Sequence, residues 1–226
     1  MRDPTAAVFT GPSLAIEEAR ELLEHPALVL PPIQRGDLGR LPDTVRVVLI
    51  LDGVFYSDQA VSPREILLAL RDGIQVLGAS SMGALRAAEL EPFGMVGVGE
   101  VYDAYRAGEL QSDADVALLL DPDTQRALTE PVVNVMHMMD CARDEGMIDD
   151  KLAGRVVAAA RGLYFGELTY PRLFQQLLDE DAGEQLEQLM AFVANRQADN
   201  DLKRKDALAA MRALNEVRAG LAAAGA

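Results

Sequence analysis

The chain has 226 residues, with 21 basic and 36 acidic side chains and a formal net charge of −15 at neutral pH. That balance argues against a duplex nucleic-acid binder, because neutralising phosphates takes clustered Lys and Arg, while a hydrophobic share of 50% supplies material for a core. A lone Cys141 excludes an intrachain disulfide and a cysteine metal cluster, and with only His25 and His137 no His-rich zinc site is expected.

No apolar run approaches the roughly 18–20 residues that span a bilayer. The opening MRDPTAAVF lacks the basic start and apolar run of a signal peptide. The expectation is a cytoplasmic protein with no membrane segment, no nucleic-acid partner and neither metal nor other cofactor.

In chain order, Ala6–Thr10 reads as a short strand, followed by a turn at Gly11-Pro12. The amphipathic run Ser13–His25 then has Ser13 where a helix N-cap belongs and Ile16, Ala19, Leu22 and Leu23 on one face. Ala27–Leu30 is a second strand, stopped by Pro31-Pro32. Val45–Leu51 is the strongest strand, apolar on nearly every position as buried parallel strands are. Ser62-Pro63-Arg64-Glu65 opens a helix through Leu70, with Pro at the first helical position. Ile74–Leu77 is a fourth strand, and Ser80-Ser81 leads straight into the helix Met82–Leu90. This βαβα order predicts an α/β fold: a mostly parallel sheet of about four to five strands flanked by helices, followed by a helical C-terminal region.

Beyond residue 100 the β-character thins out. Val101–Ala107, Ala114–Leu120, Glu130–Arg143, Leu152–Leu163 and Pro171–Leu178 read as helices. The tail from Glu184 to Leu221 carries Leu208, Met211, Leu214, Val217 and Leu221 at helical intervals. The default for that stripe is a packing face on its own domain; the alternative is docking or self-association, a homo-oligomer. Gly94–Gly99 has the glycines of a phosphate loop without a strand before it, so a tight turn is expected there. Glu109, Asp113 and Asp115 suit a solvated helix start, with cation binding as the alternative.

In open α/β sheets ligands bind beyond the carboxyl ends of the strands. The candidates are therefore Ser13 after the first strand, Gln34, Arg35 and Asp37 after the second, Asp52 and Gly53 after the third, and Ser80 and Ser81 after the fourth. Gly78-Ala79-Ser80-Ser81-Met82-Gly83-Ala84 is the sharpest signal. Serine hydrolases place the nucleophile on such a strand-to-helix turn, where the following N–H groups can stabilise an oxyanion. Against small-x-Ser-x-Gly, Ser81 takes the nucleophile position, and Ala79–Ala84 also looks like the nucleophile segment of Clp-type serine peptidases. The plainer alternative is an ordinary N-cap, with Gly83 letting the helix approach the sheet. A nucleophile needs a base, and here the choice among Glu65, Asp52 and a substrate group stays open. His25 precedes a strand at the wrong end of the sheet, and His137 lies among apolar residues.

Several segments together resemble the TfuA-like family, partners of YcaO enzymes in the thioamidation of peptides and proteins. They are VFTGPSL (Val8–Leu14), PPIQRGD (Pro31–Asp37), LDGVF (Leu51–Phe55), REILLAL (Arg64–Leu70), GASSMGALRAAEL (Gly78–Leu90), FGMVGVGEVYDAYRAGEL (Phe93–Leu110), SDADVAL (Ser112–Leu118) and TEPVVNV (Thr129–Val135). The resemblance covers about residues 8–136, which gives a TfuA-like α/β core over 1–136 and a helical region over 137–226 that resembles nothing further.

The resemblance implies a role beside a YcaO enzyme, which activates a backbone amide with ATP so that sulfur can replace its oxygen, as in ribosomally synthesised peptide natural products. It implies a sulfur source such as a ubiquitin-like carrier with a C-terminal thiocarboxylate, whose hydrolysis would free sulfide. Carried over by position, the family's recognisable residues are Ser13, Asp37, Asp52, Gly53, Glu65, Ser80, Ser81, Gly83, Arg86 and Glu89. The implied catalytic group is Ser81 with Ser80, Glu65 and Asp52. Ser13, Arg35, Asp37, Gly53, Gly83 and Arg86 are the implied substrate-binding set, with Arg86 also suited to bracing the site or pairing with Glu65. Two positions depart from the family pattern: Pro63 stands where a His is usual before the basic–acidic pair, and Val135 follows Asn134 in place of Arg. The first departure removes a candidate base and favours the alternative role, a non-catalytic subunit that recruits the carrier or activates the YcaO enzyme. A stand-alone serine esterase or peptidase is the third reading.

Overall fold

Short apolar runs become strands, and the strands align in parallel. In the computed structural model, which describes residues 4–56, 58–121, 126–180, 183–196 and 200–224, five strands form one sheet. They are β1 (Ala6–Phe9), β2 (Leu28–Leu30), β3 (Val47–Ile50), β4 (Gln75–Ala79) and β5 (Val96–Val98), in the order β2-β1-β3-β4-β5 and all parallel. Every residue of β1 and β3 is buried, as an apolar strand covered on both faces must be. The helices are α1 (Ile16–Glu21), α2 (Pro63–Arg71), α3 (Met82–Leu90), α4 (Glu100–Ala107), α5 (Val132–Asp144), α6 (Asp150–Gly162), α7 (Tyr170–Glu180), α8 (Glu184–Arg196) and α9 (Leu202–Ala224).

The chain divides into two compact units, Met1–Asp113 with Lys203–Ala226, and Ala114–Leu202. The sequence boundary at residue 136 marks where the resemblance ends, whereas the compact units follow the return of α9 to the sheet.

In the sheet unit, strand alternation sorts the side chains onto two faces. Ala6, Val8, Val47, Leu49, Leu51, Leu77 and Ala79 share a core with Ala19 of α1 and with Ala207, Ala210, Met211 and Leu214 of α9. Leu208 and Val217 pack on the same core, while Leu221 is 40% exposed. The apolar stripe of the tail is thus largely a packing face within its own unit. The alternate positions face the other way, and there Gly78 of β4 meets the main chain of Gly83 in α3. α2 begins as the sequence indicates, with Pro63 at its first position and a capping box in which Ser62 Oγ accepts from Glu65 N–H.

Three expectations are corrected. Gly94–Gly99 is no mere turn: it contains β5, because Gly97 pairs with Gly78 and leaves room for the Tyr102 ring, 2.1 Å from where a Cβ would stand. Ala114–Leu120 is no helix; beyond a single 3-10 turn at Asp113–Asp115, Leu119 N–H donates to Thr129 Oγ1 at 2.8 Å, and Leu120 bridges Ala127 antiparallel. Ser13 caps no helix, since α1 starts at Ile16 and its N-cap is Ala15.

The helical unit buries Val135, Met138 and Met139 of α5 against Val156 of α6, Leu173 and Leu177 of α7 and Leu189 of α8. Asp149 caps α6, accepting from Leu152 N–H at 2.8 Å.

α4 is capped from far along the chain. Asp206 of α9 accepts from the N–H groups of Glu100 at 3.0 Å and Val101 at 2.8 Å. Gly99, at φ +97°, has no side chain because a Cβ would fall 2.2 Å from Asp206 Cγ. Burial pushes the Asp206 carboxyl up to about 6, more than these N–H groups pull it down. A carboxyl raised in the folded state favours folding fully below its unfolded value near 4, and that contribution is lost as pH rises through about 6. Asp206→Asn should remove this loss. Between pH 4 and pH 7.5 the variant's urea-unfolding free energy should gain about 2 kcal/mol on wild type. A constant difference between the two proteins across that range would show that Asp206 does not titrate there.

Candidate functional site

The strand order reverses direction between β1 and β3, so the crevice at their carboxyl ends is where this architecture binds ligands. Asp52 sits there, 2% exposed. Its Oδ1 accepts the Ser13 hydroxyl at 2.6 Å, and its Oδ2 accepts the N–H groups of Gly11 at 2.9 Å and Ser13 at 3.0 Å. Asp52 therefore lashes the β1–α1 loop to the end of β3, with both oxygens occupied. Gly53 follows it in a parallel bridge with Ile33, and a Cβ there would lie 2.7 Å from Met82 Cγ.

Glu65 is placed similarly. Its Oε2 accepts from the Ser62 N–H at 3.0 Å and the Ser62 hydroxyl at 2.9 Å, and its Oε1 accepts from the Gly36 N–H. Burial would raise its carboxyl, but these donors, with the Arg35 guanidinium nearby, hold it below the usual carboxylate value. Asp37 closes its own turn, accepting from Gln34 N–H at 2.8 Å and meeting Arg40 at 3.2 Å. Arg35 is exposed on this loop, its N–H donating to Gln59 O at 2.7 Å. Arg86 braces α3, donating to Val61 O at 3.2 Å, and its ion partner is Glu89 at 2.7 Å, on the same helix, rather than Glu65.

The turn from β4 to α3 is the distinctive feature. Ser80 has φ +69°, the one non-glycine residue with positive φ among the described residues, a conformation that costs on the order of 1–3 kcal/mol unless its surroundings impose it. Ser81 N–H donates back to Ala79 O at 2.7 Å and closes the bend. A serine pair before a helix is ordinarily a cap, yet neither hydroxyl caps α3. Ser80, fully buried, donates to the Lys203 carbonyl at 2.8 Å. Ser81 occupies the N-cap position without a side-chain cap bond, and its hydroxyl makes no hydrogen bond among the described residues.

Ser81 is 2% exposed, and Arg218 Nε is the one fully buried side-chain nitrogen or oxygen without a partner among the described residues, so the Ser81 Oγ keeps a trace of solvent contact. Around it, Gly83 N–H donates to Leu51 O at 3.3 Å, while the N–H groups of Met82 and Ala84 meet no acceptor among the described residues. At a helix start, an unpartnered hydroxyl can attack a carbonyl carbon and unpartnered N–H groups can stabilise the oxyanion formed.

The histidines lie elsewhere. His25 precedes β2, at the opposite edge of the sheet from Ser81, and its carbonyl accepts from Arg218 at 2.8 Å. His137 is on α5 in the helical unit, with Nε2 3.7 Å from Cys141 Sγ. Asp115 lies 3.6 Å from Arg161. Sequence reasoning read the helical packing stripe of α9 but missed the site contacts of its first turn: Lys203 and Asp206 belong to no motif, and their partners lie more than 100 residues away.

No curated protein matches this chain. A family comparison matches residues 52–169 to the family described as TfuA-like protein, which takes in Asp52, Gly53, Glu65, Ser80, Ser81, Gly83 and Arg86 but stops short of Ser13, Arg35 and Asp37. With just over half of its length matched, the chain belongs to the TfuA-like protein family, whose general role is in thioamidation.

Proposed function

We propose that the protein supplies sulfide to a YcaO enzyme during backbone thioamidation of a ribosomally made peptide or protein, by Ser81-dependent hydrolysis of a thiocarboxylated, ubiquitin-like sulfur carrier in the cytoplasm. The observation that carries the reading is the Ser81 hydroxyl, without a hydrogen-bond partner among the described residues, at the start of a helix where the N–H groups of Met82 and Ala84 have no acceptor among them either. Ser81 Oγ attacks the thiocarboxylate carbon, and the developing oxyanion takes hydrogen bonds from α3, each such donor being worth about 3–4 kcal/mol. The carbon–sulfur bond breaks, the hydroxyl proton leaves on sulfur, and HS⁻ departs from a seryl ester. Water then hydrolyses the ester to a carboxylate and restores Ser81, releasing one proton. Because sulfur itself carries off the first proton, that step needs no resident histidine.

One observation favours the second reading, a binding subunit whose site is completed by its partner. Asp52 and Glu65 both have their carboxylates engaged by main-chain N–H groups, so neither stands ready as a base for the water step. The test is sulfide release from a C-terminally thiocarboxylated carrier, with the protein alone and with a YcaO enzyme added. Release by the protein alone is expected. Release only in the mixture would favour the binding subunit, and no release in either would remove the hydrolase reading.

A further inference from the structure

The geometry points to Ser80 as a positioning residue: its hydroxyl, held by the Lys203 carbonyl of α9, fixes the bend that presents Ser81. The inference rests on the hydrolase reading and extends it to a part of the chain that no motif marks.

Ser80 is fully buried at φ +69°, a backbone shape that a side-chain-bearing residue keeps only when its surroundings impose it. What holds it is a bond spanning 123 positions, from Ser80 Oγ to Lys203 O at 2.8 Å. The acceptor sits on a secured base. Next to Lys203, Arg204 grips Glu18 through two hydrogen bonds of 2.6 and 2.7 Å, and Asp206 holds the first N–H groups of α4. The first turn of α9 is thus tied to the α1 and α4 helices and to the β4–α3 bend. With its proton committed to Lys203 O, Ser80 acts through Ser81 rather than on the substrate. Displacing an attacking atom by about 1 Å can slow a reaction by about a hundredfold, so losing this anchor should be read in turnover.

The experiment uses the full chain with Ser80→Ala, which keeps the backbone demand and removes the hydroxyl, and Ser80→Gly, which also relaxes the demand. In both, kcat for sulfide release should fall by about 10- to 100-fold with KM within about twofold. Exchange of the Ser81 amide hydrogen, bonded to Ala79 O in wild type, should quicken while amides in β1 and β3 keep their protection. Faster exchange with unchanged kcat would overturn the positioning role, as would unchanged exchange in both variants. Should wild type release no sulfide alone or with its partner, the hydrolase reading falls, and Ser81 exchange still judges the anchor. Should Ser80→Ala fail to fold, Ser80→Gly carries the same two measurements.

Discussion

Ser81→Ala is expected to lower sulfide release at least about a thousandfold and to leave stability nearly untouched. On the proposed hydrolysis, the loss follows from removing the attacking oxygen, for which no neighbour substitutes: the Ser80 hydroxyl is fully buried and bonded to Lys203 O. The second half of the expectation separates a nucleophile from a cap. A serine that caps a helix loses about 1 kcal/mol on truncation to Ala. The Ser81 hydroxyl accepts no N–H from α3 and has no hydrogen-bond partner among the described residues, so the unfolding free energy should move by less than about 0.5 kcal/mol. Single-turnover sulfide release and urea unfolding, measured on the same preparations, check both parts. A stability loss near 1 kcal/mol with release intact would return Ser81 to the ordinary role of an N-cap.

Much of the sheet unit was legible because its signals are local. Val47–Ile50 is apolar at each position, and Ser62 to Glu65 spell out a capping box, so β3 and α2 could be read directly. β5 was not legible: in Val96–Val98 the middle residue is a glycine, chosen for the Tyr102 ring that lies against it and not for strand propensity. Ala114–Leu120 misled in the opposite sense, because Val116, Leu119 and Leu120 stand at helical spacing, yet Thr129 takes the Leu119 N–H. Ser13 had the residue type and the position of a cap, yet a carboxylate 39 residues away claimed its hydroxyl.

The same division runs through the candidate site. Ser81 and Gly83 could be picked from spacing alone, since the strand-to-helix turn is a local construction. The roles of the acids could not. Asp52 stands at the end of β3 and Glu65 in the first turn of α2, and both bind main-chain N–H groups of distant loops. A sequence shows that an acid is present near a site; which donors surround it depends on loops that meet only after folding. The contribution of α9 lies furthest from reading, because Lys203 takes part through a carbonyl that every residue possesses.

Gly83→Ala should destabilise the sheet unit by about 3 kcal/mol or more, lowering its melting midpoint by roughly 6–12 °C. A Cβ at this position would stand 1.8 Å from the Ile50 carbonyl oxygen, 2.7 Å from its carbon and 3.2 Å from the Gly78 Cα. All three are main-chain atoms, so no rotamer change can make room and α3 must lift from β3 and β4. Helix propensity works the other way, Ala being preferred to Gly by about 1 kcal/mol, and the clash outweighs it. Gly154 supplies the contrast: it is exposed in α6, and a Cβ there meets nothing within 4 Å. Gly154→Ala should therefore raise the stability of the helical unit by roughly 0.5–1 kcal/mol. Thermal and urea unfolding of the two variants beside wild type decide the matter. If Gly83→Ala melted with wild type, α3 could not rest on the sheet as closely as a 1.8 Å clash with the Ile50 carbonyl oxygen requires, and the placement of Ser81, two residues before Gly83 in the chain, would lose its footing as well.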